Sequence, residues 1–514
     1  MSRYSILWAD DEIDLLKPHI LFIHDKGYDV TTVNNGRDAV EFVRRQHFDL
    51  IILDENMPGL SGLETLNAIK RIAPHIPVML ITKSEEEDIM NQAIGNKIAD
   101  YLIKPVNPNQ ILLSIKKLLH SGDLVSRCAA DDYRRDFAAI SAKTNACDAI
   151  DDWYELYDRL VYWDRELASA DTDMEDMLRM QWREADMAFS RYVRTYYGSW
   201  IGAGDDAPLM SPDIFPKYVF PLLDAGHKLF VVLIDNLRLD QWRVIKPLLA
   251  DAFVFDESMY TSILPTATQY ARNSLFSGLM PADIARMYPD MWVEEGDENG
   301  KNLYEEALLA ALLKRSRRDI HFSYRKINDS VSGDRLVHEL DNLSSNQLNV
   351  VVINFIDMLS HARTESKMIR ELAADNSAYL SLTESWFRHS FAMELFRRIG
   401  EKGFRIVLTT DHGTVQVDNP VKIVGDKDTG SGLRYKVGRN MTCNPRHVYD
   451  IKYPERFGLP SPNLSSSYIF ASGHDFFVYP NNYNHYVQYY TGTFQHGGIS
   501  LEEMLVPVVT LTAK

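Results

Sequence analysis

Residues 404–414 read FRIVLTTDHGT, and their reading decides what the C-terminal half of the chain is. The run Ile406-Val407-Leu408 has the composition of a strand buried on both faces, and it leads into Asp411-His412-Gly413. Asp and Gly also end strands as ordinary turn formers, so the carboxylate–imidazole pair alone leaves both readings open. The flanking sequence carries the question further. KLFVVLID, VFDESMYTSI, IHFSY and NVVVINFID add four strand-like runs between residues 213 and 514, which predicts an α/β domain. In such a domain chemistry gathers at the carboxyl ends of the strands.

Residues 1–120 carry a second α/β pattern. SILWA, DVTTV, DLIIL, PVMLI and DYLIK alternate with helical stretches such as LETLNAIKRI and QILLSIKKLL, predicting a parallel, doubly wound, five-stranded sheet. Residues 121–206 differ in character. Trp153, Leu156, Tyr157, Leu160, Val161 and Leu167 form one helical stripe, and MLRMQWREADMAFSRYVRTYY repeats the pattern, so a helical bundle is expected. Residues 123–206 hold 19 acidic and 10 basic side chains. GAGDDAPLMSP (202–212) reads as the exit linker, which sets three domains at 1–120, 121–206 and 207–514.

Composition narrows the function. At 514 residues the chain exceeds what one core supports. Apolar runs such as LFVVLI are strand-sized, which argues against membrane insertion, and acids stand where a signal peptide needs its apolar region. Cys128, Cys147 and Cys443 are odd in number and widely spaced, which speaks against a disulfide framework and places the protein in the cytoplasm. A net charge of −17 argues against binding duplex DNA, while a metal-assisted phosphate substrate is compatible with it.

In the first α/β region, Asp10 and Asp11 follow the first strand, Asp54 the third, Thr82 the fourth and Lys104 the fifth. Three carboxylates at one sheet edge repel each other unless a divalent cation joins them, and oxygen ligands with open positions suit Mg²⁺. Lys104 supplies positive charge for a phosphoryl oxygen, Thr82 a hydroxyl donor, and Asp54 a nucleophile that forms an acyl phosphate. ADDE, LDENMPG, LITKS and YLIKP occur in that order, and the region closely resembles the receiver domain of two-component response regulators. The resemblance implies phosphorylation at Asp54, Mg²⁺ on Asp10, Asp11, Asp54 and the carbonyl of Asn56, a switch pair of Thr82 and Lys104, and Tyr101 as the rotating aromatic. It also implies a cis Lys104-Pro105 bond.

The second region offers Asp235, Asp357, His361, Asp411, His412 and His496, three carboxylates and three imidazoles that suit two zinc ions or a related transition-metal pair. PTATQYARNSLFSGLMP supplies a hydroxyl at the start of a helix, where free N–H groups face an incoming phosphate. Thr268 is the candidate nucleophile, an N-cap role is its bland alternative, and Thr266 competes with it. VLIDNLR, PTATQYARNSLFSGLMP, IDMLSH, TTDHG and HGGISLEEMLVPVV together resemble the PglZ branch of the alkaline-phosphatase superfamily. The resemblance implies an alkaline-phosphatase-like α/β sandwich and Thr268 as nucleophile. One metal would be held by Asp235, Thr268, Asp411 and His412, and the other by Asp357, His361 and His496. Arg272 and Asn273 are the nearest candidates for an oxyanion donor, with plain helix surface as the alternative.

His474 and His485 read as non-ligands, because the six positions are filled. YPNNYNHYVQYYTGTF reads as alternating strand packing or as a platform for stacking bases, and Arg315, Arg317 and Arg318 as a helix C-terminus. A receiver, helical linker and PglZ-type hydrolase in one chain resemble the response regulators of the type IX secretion system. That implies a sensor histidine kinase, and a sigma factor or secretion-system component as further partner. It further implies a zinc-dependent phosphodiesterase for oligonucleotides or cyclic nucleotides. A signalling adaptor with structural zinc is the alternative. Phosphorylation at Asp54 is expected to pair two chains into a homodimer.

Overall fold

The structure, a computed structural model, describes residues 4–83, 98–168, 172–204, 207–294, 300, 302–365, 369, 371, 375–426, 429–430, 432–445, 447–461, 463 and 465–514, without the side chains of 120–129, 172–173, 363 and 365. Residues 205 and 206 of the expected exit linker and Ser84 of LITKS lie outside the described residues. The chain divides near Asp132 into two units.

The first unit is built on five parallel strands, β1 (Ser5–Ala9), β2 (Asp29–Val33), β3 (Leu50–Asp54), β4 (Val78–Thr82) and β5 (Asp100–Ile103), in the order β2-β1-β3-β4-β5. β3 and β4 are buried along their whole length, which explains their unbroken apolar sequences. Helix Gly62–Ile72 opens with a capping box, Ser61 and Glu64 each satisfying the other's backbone N–H. Strand order reverses at β1, so a crevice opens between the carboxyl ends of β1 and β3.

The second unit begins with the helical segment. The stripe Trp153, Leu156, Tyr157, Leu160, Val161 and Leu167 is buried, each residue at most 1% exposed, in and just after helix Ile150–Glu166. It packs on helix Thr172–Trp200 through pairs such as Trp153–Phe189, whose ring centroids lie 5.3 Å apart. Tyr133, in the second half of helix Pro108–Ala146, donates to Gln181 Oε1 at 2.7 Å.

The main sheet of this unit holds β6 (Leu229–Ile234), β7 (Phe253–Thr261), β8 (Phe322–Ile327), β9 (Leu348–Ile353), β10 (Arg405–Thr409) and the terminal strand Leu505–Ala513. From one edge to the other the order is β7, the terminal strand, β10, β6, β9, β8. The terminal strand runs antiparallel to both its neighbours, whereas β10, β6, β9 and β8 are mutually parallel. Consequently β6, β7, β9 and β10 all finish at one edge, where the terminal strand starts. The insert between β10 and the terminal strand contributes short two- and three-stranded sheets and the helix Tyr483–Tyr490. That helix replaces the expected alternating strand: Tyr483, Val487 and Tyr490 recur at helical spacing and pack on Val415, Val417, Phe476 and Val478.

Candidate functional site

At the first unit's crevice, Asp10, Asp11 and Asp54 offer ligand oxygens within 4.8 Å of one another. Lys104 Nζ reaches across from beyond β5 to Asp10 Oδ2 and Asp54 Oδ1, both at 2.8 Å. Burial pushes the Asp54 carboxyl above its ordinary value, against the pull of the Lys104 ammonium. Asp10 and Asp54 are buried, while Asp11 and Asn56 are exposed, so the crevice opens to solvent on one side. Thr82, at the end of β4, is buried and hydrogen-bonded to Tyr101, and Lys104-Pro105 is cis.

The second site is assembled by the sheet edge. Asp235 directly follows β6 and its N–H donates to the Ile353 carbonyl of β9 at 2.9 Å. Asp357 and His361 lie one turn apart on helix Phe355–Glu365, Nε2 to Oδ1 at 3.5 Å. Asp411 and His412 follow β10, and His496 precedes the terminal strand. Two groups of donors result, Asp235 with Asp411 and His412, and Asp357 with His361 and His496, the donor atoms within each lying no more than 4.8 Å apart. The rings of His412 and His496 stack at 4.4 Å, which brings the groups side by side.

Second contacts aim these donors. His496 Nδ1 bonds the Thr266 carbonyl at 3.1 Å and His412 Nδ1 the Gly413 carbonyl at 3.2 Å, so each ring presents Nε2 to the site. Burial holds His496 well below its ordinary value, and therefore neutral, the state in which imidazole binds metal. One oxygen of Asp235, Oδ1, is buried without a hydrogen-bond partner. The donor set and this orphaned oxygen fit a transition-metal pair of the zinc type.

Thr268 is the first residue of helix Thr268–Ser277, whose N-cap is Ala267, so the N-cap alternative does not describe it. Its Oγ1 stands 3.1 Å from His412 Nε2. The competitor Thr266 is engaged elsewhere: its hydroxyl donates to the Gly498 carbonyl and accepts from the Gly497 N–H.

Arg272 and Asn273 are buried, not helix surface. Arg272 lies one turn beyond Thr268 and its guanidinium bridges Asp235, Asp411 (Nε to Oδ2, 2.9 Å) and Glu305 (3.3 Å). Burial raises the Asp235 carboxyl far above the ordinary range. Burial also opposes ionisation of Asp411, but the Arg272 guanidinium and then His412 outweigh it and hold that carboxyl low. Asn236 links the two donor groups, its N–H toward Asp411 Oδ1 at 3.4 Å and its amide toward Asp357 Oδ1 at 3.5 Å. Its φ of 67° is the left-handed conformation that Asn tolerates better than other side chains, at the point where β6 must turn sharply. The motif VLIDNLR contained that signal; nothing local marked Glu305, an acid in the first turn of its own helix.

His474 and His485 lie outside both donor groups. Arg315 donates to the Ser277 carbonyl, while Arg318 pairs with Asp224 and stacks its guanidinium 4.2 Å from the Phe220 ring, so these two have local structural partners.

The chain matches the family described as the BREX system PglZ alkaline phosphatase-like domain over residues 214–511, more than half its length. Residues 6–116 match the response regulator receiver domain and residues 123–201 the PorX response regulator linker domain. Among curated proteins it is similar to the transcriptional regulatory protein ZraR of Klebsiella oxytoca, 36% identical over 118 residues, 23% of this chain and 27% of that protein. The alginate biosynthesis transcriptional regulatory protein AlgB of Pseudomonas aeruginosa is 31% identical over 147 residues, 28% of this chain and 33% of that protein. The matches thus span 27% and 33% of those relatives. A solved structure of the Vibrio cholerae chemotaxis protein CheY4 is 27% identical and covers 23% of this chain and 100% of its own, with a TM-score of 0.22. This chain belongs to the PglZ alkaline phosphatase-like family and is a two-component response regulator of the PorX-type architecture, with receiver, linker and PglZ domains in that order.

Proposed function

We propose that the output domain of this regulator is a two-zinc phosphodiesterase with Thr268 as its nucleophile, controlled by phosphorylation of Asp54. The observation that carries the reading is the 3.1 Å approach of Thr268 Oγ1 to His412 Nε2, beside two donor groups at one sheet edge. Asp235, Thr268, Asp411 and His412 would hold one ion, and Asp357, His361 and His496 the other. When bound, such a pair acidifies the hydroxyl and neutralises charge on the attacking and leaving oxygens.

The chain's own groups do the rest. Thr268 Oγ attacks phosphorus, the bond from phosphorus to the departing alcohol oxygen breaks, and the hydroxyl proton ends on that alcohol through solvent. Water then attacks the phosphothreonine phosphorus and releases the monoester. The first N–H groups of helix Thr268–Ser277 face the phosphate oxygens, and Arg272 keeps Asp235 and Asp411 in position. The substrates are oligonucleotides or cyclic nucleotides, and the setting is cytoplasmic control of type IX secretion, with a sigma factor or secretion component as partner.

In the receiver, Asp10, Asp11, Asp54 and the Asn56 carbonyl would hold Mg²⁺ while a sensor kinase supplies the phosphoryl group to Asp54. Lys104 then pairs with the new phosphoryl oxygens, and Thr82 and Tyr101 shift to report it. The result is a homodimer. Light scattering with a phosphoryl mimic, set against Asp54→Ala, shows a doubled mass in the wild type alone; an unchanged wild-type mass removes dimerisation from the scheme.

The test of the enzyme is hydrolysis of an aryl phosphodiester by zinc-loaded protein beside Thr268→Ala. Loss of activity by on the order of 10³-fold, with zinc content unchanged, is expected. A zinc-loaded wild type inactive on diester and monoester overturns the reading and favours a signalling adaptor.

A further inference from the structure

Away from the proposed zinc site, the second unit holds another converging group of donors. Asp186 projects from helix Thr172–Trp200, His474 from the insert, and Glu502 from the short helix before the terminal strand, their donor atoms within 4.8 Å of one another. Asp186 and Glu502 are buried, at 0% and 8% exposure.

Each residue is held by one atom and presents another. Asp186 Oδ1 accepts from the Leu501 N–H at 2.8 Å, and Glu502 Oε1 from the Trp182 indole N–H at 2.8 Å. His474 Nδ1 donates to the Gln416 carbonyl at 2.7 Å, which aims Nε2 at the two carboxylates. Of the remaining atoms, Glu502 Oε2 is buried and makes no hydrogen bond, while Asp186 Oδ2 and His474 Nε2 are buried with no partner but each other, 3.4 Å apart. A buried carboxylate oxygen left without a partner beside a buried imidazole and a second carboxylate is uncommon, because burial without a partner is costly. Outer partners that orient ligands and leave their inner atoms free are the usual surroundings of a metal ion.

We propose that Asp186, His474 and Glu502 bind a divalent transition-metal ion, Zn²⁺ or Mn²⁺, at a site distinct from the zinc pair. One imidazole nitrogen with two carboxylates suits these ions and leaves coordination positions open. The 3.4 Å between His474 Nε2 and Asp186 Oδ2 matches the roughly 3.3 Å between two ligands each about 2.0 Å from a tetrahedral ion. His474 and Glu502 line a cavity of about 770 Å³, with Trp182, Arg238 and Gln416, so the ion has a route in. The ion would tie helix Thr172–Trp200 to the segment that supports the Asp411-His412 turn: the Gly413 N–H donates to the Glu503 carbonyl at 3.1 Å. A side chain at Gly413 would place its Cβ 2.0 Å from the Glu502 carbonyl oxygen, so the two segments already touch as closely as backbone allows.

The proposal does not depend on the phosphodiesterase reading, and its test is a metal count. The full chain is dialysed against Zn²⁺ or, in parallel, Mn²⁺, and bound metal is measured for wild type, His361→Ala, His474→Gln and the double variant. His474→Gln is expected to hold about one equivalent less than wild type, with the same difference in the His361→Ala background. Equal counts with and without His474→Gln overturn the proposal and leave the three groups as a proton-sharing ion cluster. If His474→Gln fails to fold, Glu502→Gln replaces it, since a Gln keeps the acceptor for Trp182, and the same count decides.

Discussion

The receiver crevice and the proposed zinc site solve one electrostatic problem in two ways. In both, carboxylates collect at the carboxyl ends of parallel strands and a basic side chain offsets them. In the receiver that side chain is Lys104, a point charge on a flexible stem, 14% exposed, touching Asp10 and Asp54 while Asp11 faces solvent. In the second site it is Arg272, a planar fork 1% exposed, locked among Asp235, Asp411 and Glu305. A lysine can release one oxygen and follow another, which a phosphoryl acceptor needs as its charge changes. A buried arginine holds geometry fixed, which suits donors that must not move.

The sharpest way to break this comparison is to remove each cation. Arg272→Met leaves the buried Asp235 and Asp411 without their cation, Glu305 keeping Lys326 at 3.0 Å, and is expected to destabilise the second unit by about 3–5 kcal/mol in urea unfolding with chelator present. Lys104→Met leaves the buried Asp10 and Asp54 in a crevice that is open on the Asp11 side, where solvent and Mg²⁺ can reach, and is expected to cost less, on the order of 1 kcal/mol, with Mg²⁺ restoring most of it. Equal losses would mean that both cations are structural in the same sense.

The two sites also differ in how legible they were. In the receiver, β1, β3, β4 and β5 each run straight into a site residue, so the strand pattern places Asp10, Asp54, Thr82 and Lys104 at one sheet edge, and the resemblance to receiver domains supplies their roles. The second site draws on residues as far apart as Asp235 and His496, and its terminal strand was missed as a strand. Pro507 is the reason: a proline argues against a central strand, yet here it pairs with Met259 of β7, just beyond the end of β10, where Thr409 pairs with Val508. Arg272 stays open between oxyanion donor and helix surface in the sequence for a related reason. A charged residue one turn into a helix looks solvent-facing unless the acids that bury it, one of them Glu305, are known to converge there. Thr266 and Thr268 were indistinguishable by spacing, because what separates them is the backbone of Gly497 and Gly498 closing on one hydroxyl only.

A smaller effect sharpens the receiver side. Burial raises the Asp54 carboxyl above the 3.8 of a free aspartate, although Lys104 is near and opposes it. As pH rises past the unfolded value, the unfolded chain gives up this proton first, so the folded state binds more protons and stability falls with pH until the folded group also ionises. Asp54→Asn removes that penalty while keeping shape. It is expected to stabilise the receiver by on the order of 1 kcal/mol at pH 7, the ordinary size of a single-site effect, and to lose its advantage in acid below the unfolded carboxylate value. Urea midpoints of both proteins across the acid range measure it. A gain that persists unchanged in acid would trace to packing at Asp54 instead of charge, and the receiver crevice would then owe its openness to shape, not to the mobile balance of its carboxylates against Lys104.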